Sequence, residues 1–173
     1  MREWLKNTGG HTEFKHLNLC IYAADMVDSA RQIENLLYDY AERIDAGDFA
    51  GVADLFTHAR IFGQENGPPE TVFEGREGAL RLYEASTRRY DDTGTPKTHH
   101  VITNVRIEVD EDAGTGSCRS YYAVAQATEA LPLQLIITGR YHDTFHRLEG
   151  RWWFASRTFF VDQVGDLSQH LQW

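Results

Sequence analysis

The feature that most constrains the fold of this chain is a change in hydrophobic period at Lys97. Upstream of it, the most strongly patterned segments repeat their apolar residues at the spacing of an α-helix. Downstream, Val105, Ile107 and Val109 alternate with polar residues, which is the period of a β-strand with one buried face. A chain that places helices first and long strands afterwards favours an α+β fold with helices covering one face of a sheet.

The first patterned segment predicts a helix that begins after Asp28 or Ser29, both suitable N-cap residues, and continues to about Ala46. Asp39 lies at the flank of its apolar stripe and can face either solvent or the rim of a cavity. The stripe consists of Ile33, Leu36, Leu37, Tyr40 and Ile44.

Shorter elements follow. Asp48 is predicted to cap a second helix, residues 60–63 and 71–75 to form short strands, and residues 76–90 to form a third helix. Long strands are expected from Lys97 and over 118–128, 133–148 and 151–162. One face of the 133–148 strand is expected to carry Leu133, Leu135, Ile137, Gly139, Tyr141, Asp143 and Phe145.

These elements predict a curved antiparallel or mixed sheet that forms a cone, with three N-terminal helices packed on it. The open end of such a cone is a natural pocket for a small molecule. Residues 27–173 are assigned to this single domain, and residues 1–26 to an N-terminal extension. Two interpretations of the extension stay open, a non-native segment or a loosely packed arm.

The composition excludes several classes of function. The chain has 173 residues and a formal net charge of −9, which argues against nucleic acid and anionic membrane surfaces as partners. No apolar run approaches the ~20 residues of a membrane-spanning helix. The two cysteines, Cys20 and Cys118, do not make a disulfide framework, and a reducing cytoplasm is the expected compartment.

The candidate chemistry lies in residues 97–104, where His100 opens the first long strand. If the first helix crosses the sheet, Asp39 can reach His100 inside an apolar pocket, and a carboxylate beside an imidazole makes a general base. Two structural alternatives stay open: Asp39 pairs with Arg43 at the surface, or His100 is a hydrogen-bonded core residue. His99 is expected at the surface, on the other side of the strand.

Three spaced pieces carry a resemblance to a known family: residues 33–49, residues 98–104, and residues 139–154 with the run Gly150-Arg151-Trp152-Trp153-Phe154. Together they resemble the SnoaL-like branch of the nuclear transport factor 2-like superfamily over residues 27–171. The resemblance implies a cystatin-like α+β fold.

Within that superfamily the chain is similar to scytalone dehydratase and hexachlorocyclohexane dehydrochlorinase, which work without a cofactor. The resemblance implies Asp39 and His100 as catalytic residues and Tyr38, Tyr141 and Gln126 as substrate contacts. One departure is visible, because scytalone dehydratase has a second pocket histidine on the strand that here carries residues 124–126, and none is present there.

The leading hypothesis is a cofactor-independent lyase or isomerase acting on a small, mostly apolar cyclic compound. A polyketide-cyclase-like enzyme and a non-catalytic assembly module, like the β-subunit of an aromatic-ring dioxygenase, are the alternatives. No metal is expected, because His142 and His146 lie roughly 13 Å apart on a strand. The resemblance also implies a homodimer or homotrimer formed through the sheet face.

Overall fold

A computed structural model describes residues 28–172 of the chain, so the prediction for residues 1–26 lies outside the described residues. Three helices form one layer of the molecule. They are α1 (Ser29–Asp45), α2 (Phe49–Leu55) and α3 (Gly75–Ser86). None of the helices in residues 28–172 is long and apolar enough to cross a membrane.

A six-stranded sheet forms the second layer, in the order β2-β1-β6-β5-β4-β3. Strand β1 runs parallel to β6 and every other neighbouring pair is antiparallel, so the sheet is mixed. The strands are β1 (Arg60–Phe62), β2 (Val72–Glu74), β3 (Thr98–Asp110), β4 (Thr115–Gln126), β5 (Gln134–Leu148) and β6 (Arg151–Val164).

Irregularities in the strand pairing curl this sheet around α1. The register shifts once between β3 and β4, once between β4 and β5, and twice between β5 and β6. Such bulges bend a strand and increase its twist. Helix α1 packs against both β3 and β6, while β2 and β3 remain as the two edges. The predicted α+β fold with a curved sheet under three helices is confirmed, and the sheet is curled rather than closed.

Helix α1 begins and ends on residues suited to those positions. The Asp28 side chain accepts a hydrogen bond from the Ala30 amide (3.2 Å). At the other end Gly47 adopts a left-handed conformation with φ of +75°, which only glycine reaches without strain. The Asp48 carboxylate then caps α2 through the Gly51 amide (2.8 Å). This tight link fixes the direction in which the last turn of α1 faces.

Helix α3 is shorter than predicted, because the C-terminal segment takes over at its end. The helix stops at Ser86 rather than continuing to residue 90, and Thr87 pairs with Leu171 in an isolated β-bridge. The Arg88 amide donates to the His170 carbonyl (2.8 Å). Residues 166–172, called here the C-terminal strap, are thereby held beside α3.

The prediction that one face of β5 carries the alternate residues from Leu133 to Phe145 agrees with the structure at Tyr141, Asp143 and Phe145 and is wrong at the beginning of the strand. Leu133 and Leu135 are exposed, and Ile136 is buried in their place. The cause is the irregularity opposite Val124 and Ala125, where β5 has one residue more than β4. One extra residue in a strand moves every side chain before it to the other face.

Replacing Gly47 with alanine is expected to destabilise the fold by about 2–4 kcal/mol, because a left-handed backbone and a steric clash act together. A Cβ atom at Gly47 would clash with the Gly94 carbonyl oxygen. Gly94 is the matched control, since its φ is +71° but a Cβ there meets nothing within 4 Å. Gly94→Ala is expected to cost only about 1–2 kcal/mol. Equal losses for the two variants in urea denaturation would contradict the close approach of these loops.

Candidate functional site

An aspartate at the last residue of α1 meets a histidine at the start of β3. The Asp45 carboxylate lies 2.6 Å from His100 Nδ1 and accepts a hydrogen bond from the His100 amide (2.7 Å). The Thr98 hydroxyl donates to the same carboxylate (2.7 Å). The side chains of His100 and Asp45 are 6% and 18% exposed, so the pair is largely removed from water.

The electrostatics of this pair decide which nitrogen of His100 is free. Burial alone would raise the pKa of Asp45, but the hydrogen bonds from His100 and Thr98 hold it below its usual value. The carboxylate is therefore ionised at neutral pH and can only accept. Because it accepts from Nδ1, the neutral imidazole carries its proton there and its lone pair on Nε2.

The backbone before β3 is arranged to bring His100 into this position. Lys97 has φ of +57°, an uncommon conformation for a residue with a side chain. Its ammonium group pairs with Asp92 (2.7 Å) and lies over the Tyr90 ring. These contacts fix Lys97 against the loop that precedes β3. The strand therefore starts in a position from which Thr98 and His100 both reach Asp45.

His100 lines a cavity of about 260 Å³ between the helices and the sheet. The wall is mostly apolar and rich in aromatic rings, with the Tyr40 ring placed edge-on to His100 at 6.0 Å between centroids. Its aromatic members include Tyr40, Tyr83, Tyr122, Tyr141 and Phe159, and its aliphatic members include Ile44, Leu82, Val124, Ile137 and Leu171. This environment suits a small ligand with a large apolar surface.

A buried ion pair supports the aromatic wall from behind. The Arg157 guanidinium makes two parallel hydrogen bonds to the Asp143 carboxylate (2.9 and 2.8 Å), and both side chains are 0% exposed. The guanidinium also lies 4.3 Å from the Tyr40 ring centroid and 4.1 Å from that of Tyr141. Burial alone would lower the pKa of Arg157, but Asp143 raises it, so the guanidinium stays charged. The two cavity tyrosines are therefore fixed by cation–π contacts in a dry setting.

Two buried polar atoms on residues of the cavity wall have no hydrogen-bond partner among residues 28–172. They are the hydroxyl of Tyr83 and the Nδ1 atom of His170, which comes from the C-terminal strap. The second pocket histidine of scytalone dehydratase has no counterpart on the strand that carries Val124. Here a second histidine reaches the cavity from a different part of the chain.

The predicted pairing of Asp39 with His100 is wrong, because Asp45 occupies that place. Asp39 lies on the exposed side of α1. Arg43, the alternative partner, donates instead to the Gly51 carbonyl (2.6 Å). The prediction for His100 itself, that it faces an apolar cavity beside a carboxylate, agrees with the structure, and His99 is exposed as expected.

The three predicted substrate contacts fall in three different settings. Tyr141 lines the cavity and stacks on Tyr122 with 4.3 Å between ring centroids. Tyr38 is 37% exposed and its hydroxyl donates to Glu34 on the same helix (2.7 Å), so it points away from the cavity. Gln126 is buried outside the cavity wall, and its amide donates to the carbonyls of Pro96 and Gln169 (3.0 and 3.1 Å).

Helical periodicity alone could not have separated Asp45 from Asp39. At roughly 100° per residue, each lies about 120° from the centre of the α1 apolar stripe, on opposite sides of it. The signal that favours Asp45 is its position at the last residue of the helix, two residues before Gly47. His170 gave no signal, since it lies in a polar segment without periodicity.

No group of three or more His, Cys, Asp and Glu side chains in residues 28–172 is arranged to hold a metal ion. Cys118 is buried, and burial raises the pKa of its thiol to about 12, so it stays protonated at neutral pH.

Fold and site together define an α+β cone with an Asp–His pair in the wall of an apolar cavity. The SnoaL-like domain family matches residues 25–158, which is more than half of the chain. The protein therefore belongs to the SnoaL-like domain family, as the sequence motifs predicted. A comparison with curated proteins finds no match.

Solved structures share the fold at low sequence identity. A protein provisionally assigned as a scytalone dehydratase from Novosphingobium aromaticivorans is 21% identical, with a TM-score of 0.61 over 88% of this chain and 91% of that one. LinA is 20% identical, with a TM-score of 0.59 over 88% and 94%. An NTF2-like protein with a cystatin-like fold from N. aromaticivorans is 14% identical, with a TM-score of 0.63 over 93% and 96%.

Replacing Asp45 with asparagine is expected to destabilise the protein by about 1–3 kcal/mol at neutral pH, since the buried imidazole loses a charged acceptor. Asp39→Asn is the control and is expected to stay within about 0.5 kcal/mol of wild type. The lowered pKa of Asp45 means that its contribution is complete above the ordinary aspartate value near ~4 and disappears as the pH falls through the folded value.

Urea denaturation at several pH values measures both effects. The acid-dependent part of the Asp45 contribution should be missing in Asp45→Asn and present in Asp39→Asn. A variant of Asp39 that loses more stability than the variant of Asp45 would refute the observed pairing.

Proposed function

We propose that this protein is a cofactor-independent lyase or isomerase in which His100, oriented by Asp45, removes a proton from carbon in a small, mostly apolar cyclic compound. The observation that carries the proposal is the position of His100, whose Nδ1 is bound to a partly buried carboxylate while its ring lines an apolar cavity. Nε2 is then the nitrogen available to a substrate.

Abstraction of a proton from carbon near neutral pH needs a base with a pKa near 7, and histidine starts closest to that value. Taking the proton makes an imidazolium, which an apolar cavity disfavours. The ionised Asp45 offsets this cost because it lies on the opposite ring nitrogen. The pair thus stabilises charge that exists only after proton transfer has begun, which is the condition for lowering a barrier.

The cavity restricts the class of substrate. Its volume of about 260 Å³ lies below the range of roughly 300–1,000 Å³ that is usual for drug-sized ligands, so a compound of one or two rings is expected. Burial raises the pKa of Tyr141 well above its usual value. The Tyr141 phenol therefore stays protonated and able to donate a hydrogen bond to an oxygen on the substrate.

The comparisons support this class of reaction at a general level. The chain belongs to the SnoaL-like domain family, and one structural neighbour is provisionally assigned as a scytalone dehydratase. A non-catalytic assembly module has no need for a cavity or for a carboxylate buried against an imidazole. Both features favour the enzyme over the module.

The elimination of 5-nitrobenzisoxazole tests the proposed base directly. In this reaction a base takes the C3 proton, the C–H electron pair forms the nitrile as the ring N–O bond breaks, and a coloured nitrophenolate is released. The wild-type protein is expected to show saturable turnover. His100→Gln is expected to lower kcat/KM by about 100-fold or more.

His99→Gln is the matched control for this experiment, because His99 is the neighbouring histidine on the outer face of β3. It is expected to keep wild-type turnover. Thermal melting of both variants checks that the fold persists. Turnover in folded His100→Gln that equals the wild-type rate would overturn the proposal.

We also propose that the protein forms a homodimer or homotrimer through the outer face of its sheet. Val101 and Tyr121 lie on neighbouring strands and are 42% and 52% exposed. They border one depression, which also includes Ala123 and Thr138. An apolar patch of this kind on a sheet is typical of a surface that another subunit covers.

Light scattering after size-exclusion chromatography tests this assembly. The wild type is expected to have two or three times the monomer mass. The double variant Val101→Lys/Tyr121→Lys is expected to have a mass closer to that of one monomer. Glu84→Lys, an exposed change on α3, is the control and should leave the mass unchanged. A wild-type monomer at micromolar concentration would rule the assembly out.

A further inference from the structure

The histidine of the C-terminal strap is held in the cavity wall by backbone contacts on both sides. The Arg88 amide donates to the His170 carbonyl (2.8 Å), and Leu171 pairs with Thr87. The Gln172 side chain donates to the carbonyls of Glu84 and Thr87 (2.8 and 2.9 Å). The backbone that carries the imidazole is therefore held in place beside α3 and is not a free tail.

Gln126 connects this histidine to the Asp45–His100 pair. Its amide nitrogen donates both to Pro96, two residues before β3, and to Gln169, the residue before His170. Both histidines line the same cavity. One buried side chain thus sets the position of the segment that carries His100 and of the segment that carries His170.

The Nδ1 atom of His170 is buried and has no hydrogen-bond partner in residues 28–172. An unsatisfied buried polar atom costs about 1–3 kcal/mol, so native proteins contain few of them. Leucine or phenylalanine would fill this place in an apolar wall without that cost. The His170 ring lines the cavity, so a ligand there that pairs with the imidazole would offset this cost.

The charge state of His170 narrows the chemistry of that ligand. Burial lowers the pKa of His170 to about 4, and the nearby His100 acts in the same direction. The ring is therefore neutral at pH 7. A neutral imidazole donates one hydrogen bond and accepts another, but it carries no charge with which to attract a carboxylate or a phosphate.

We propose that His170 is a substrate-recognition residue that hydrogen-bonds a neutral oxygen, a carbonyl or a hydroxyl, on the ring compound whose proton His100 removes. This inference rests on the proposed function for the identity of the reacting compound. It adds that the substrate group in contact with His170 is an uncharged oxygen, located close to the reacting carbon.

Tyr83 is the other cavity residue with an unpaired buried polar atom, and its setting differs. The pKa of Tyr83 responds to Tyr40 and to the Arg157–Asp143 pair. The pKa of His170 responds instead to His100 and Asp45. His170 is thus the unpaired group on the side of the proposed base. Tyr83→Phe serves as the matched control.

The test compares binding of three ligands of similar shape: indane, 1-indanone and indane-1-carboxylate. Dissociation constants are measured by calorimetry at pH 7 for the wild type, His170→Leu and Tyr83→Phe. In His170→Leu, the ratio of the Kd of 1-indanone to that of indane is expected to rise about 3- to 10-fold, the effect of one neutral hydrogen bond. Tyr83→Phe should leave this ratio within twofold of wild type.

Two results would overturn the proposal. The first is an unchanged ratio of the 1-indanone Kd to the indane Kd in folded His170→Leu. The second is a loss of indane-1-carboxylate binding in this variant that is larger than its loss of 1-indanone binding, because that result would indicate a charged imidazole. If His170→Leu fails to fold, ¹⁵N NMR of the wild-type histidines gives the answer. The His170 ring signals should be those of a neutral imidazole and should shift with 1-indanone but not with indane.

This test and the elimination assay fail independently. Loss of the carbonyl preference in His170→Leu measures recognition and needs no turnover. Loss of 5-nitrobenzisoxazole turnover in His100→Gln measures the base. An inactive wild-type protein that still shows the His170-dependent preference would refute the proposed reaction and leave the binding role standing.

Discussion

The structure of the site depends on a single carboxylate that joins the helical layer to the sheet. Asp45 ends α1 and accepts hydrogen bonds from Thr98 and from the backbone and ring of His100. These bonds satisfy the carboxylate where water is largely excluded, so it stays ionised. The same contacts fix the direction of β3, orient the imidazole and select the tautomer that leaves Nε2 unprotonated.

A second charged group, deeper in the molecule, keeps the cavity in shape. Burying Arg157 and Asp143 is costly, and only a bidentate geometry with further favourable contacts makes such a pair tolerable. The contacts of the guanidinium with the rings of Tyr40 and Tyr141 supply them. These contacts favour the ring positions that leave the cavity open.

Much of the fold could be predicted from the sequence, because it follows from local patterns. The apolar stripe of α1 and the alternation in β3 each report which side of an element is buried, and the Glu149-Gly150 turn adopts the positive φ angles that a two-residue hairpin needs. A local pattern does not reveal a bulge, such as the extra residue that β5 has opposite β4. This is why the alternation predicts Leu135 on the same face as the buried Tyr141, whereas the structure leaves Leu135 56% exposed.

The site was harder to predict, for a related reason. Asp39 and Asp45 are equivalent by helical angle, and the choice between them depends on which way α1 lies across the sheet. His170 depends on how the C-terminal strap crosses α3, which is a long-range contact. The face on which His100 lies could be predicted, because it follows from the alternation of β3 itself. The positions of Asp45 and His170 depend on how their segments pack against other elements, and the sequence pattern does not contain that information.

The most direct test of this account is ¹⁵N NMR of the imidazole rings at neutral pH. The account predicts that His100 carries its proton on Nδ1, with a strongly downfield proton signal that disappears in Asp45→Asn and persists in Asp39→Asn. A wild-type His100 that is protonated on Nε2, with Nδ1 bare, would contradict it, because the nitrogen facing the cavity could then take no proton from a substrate.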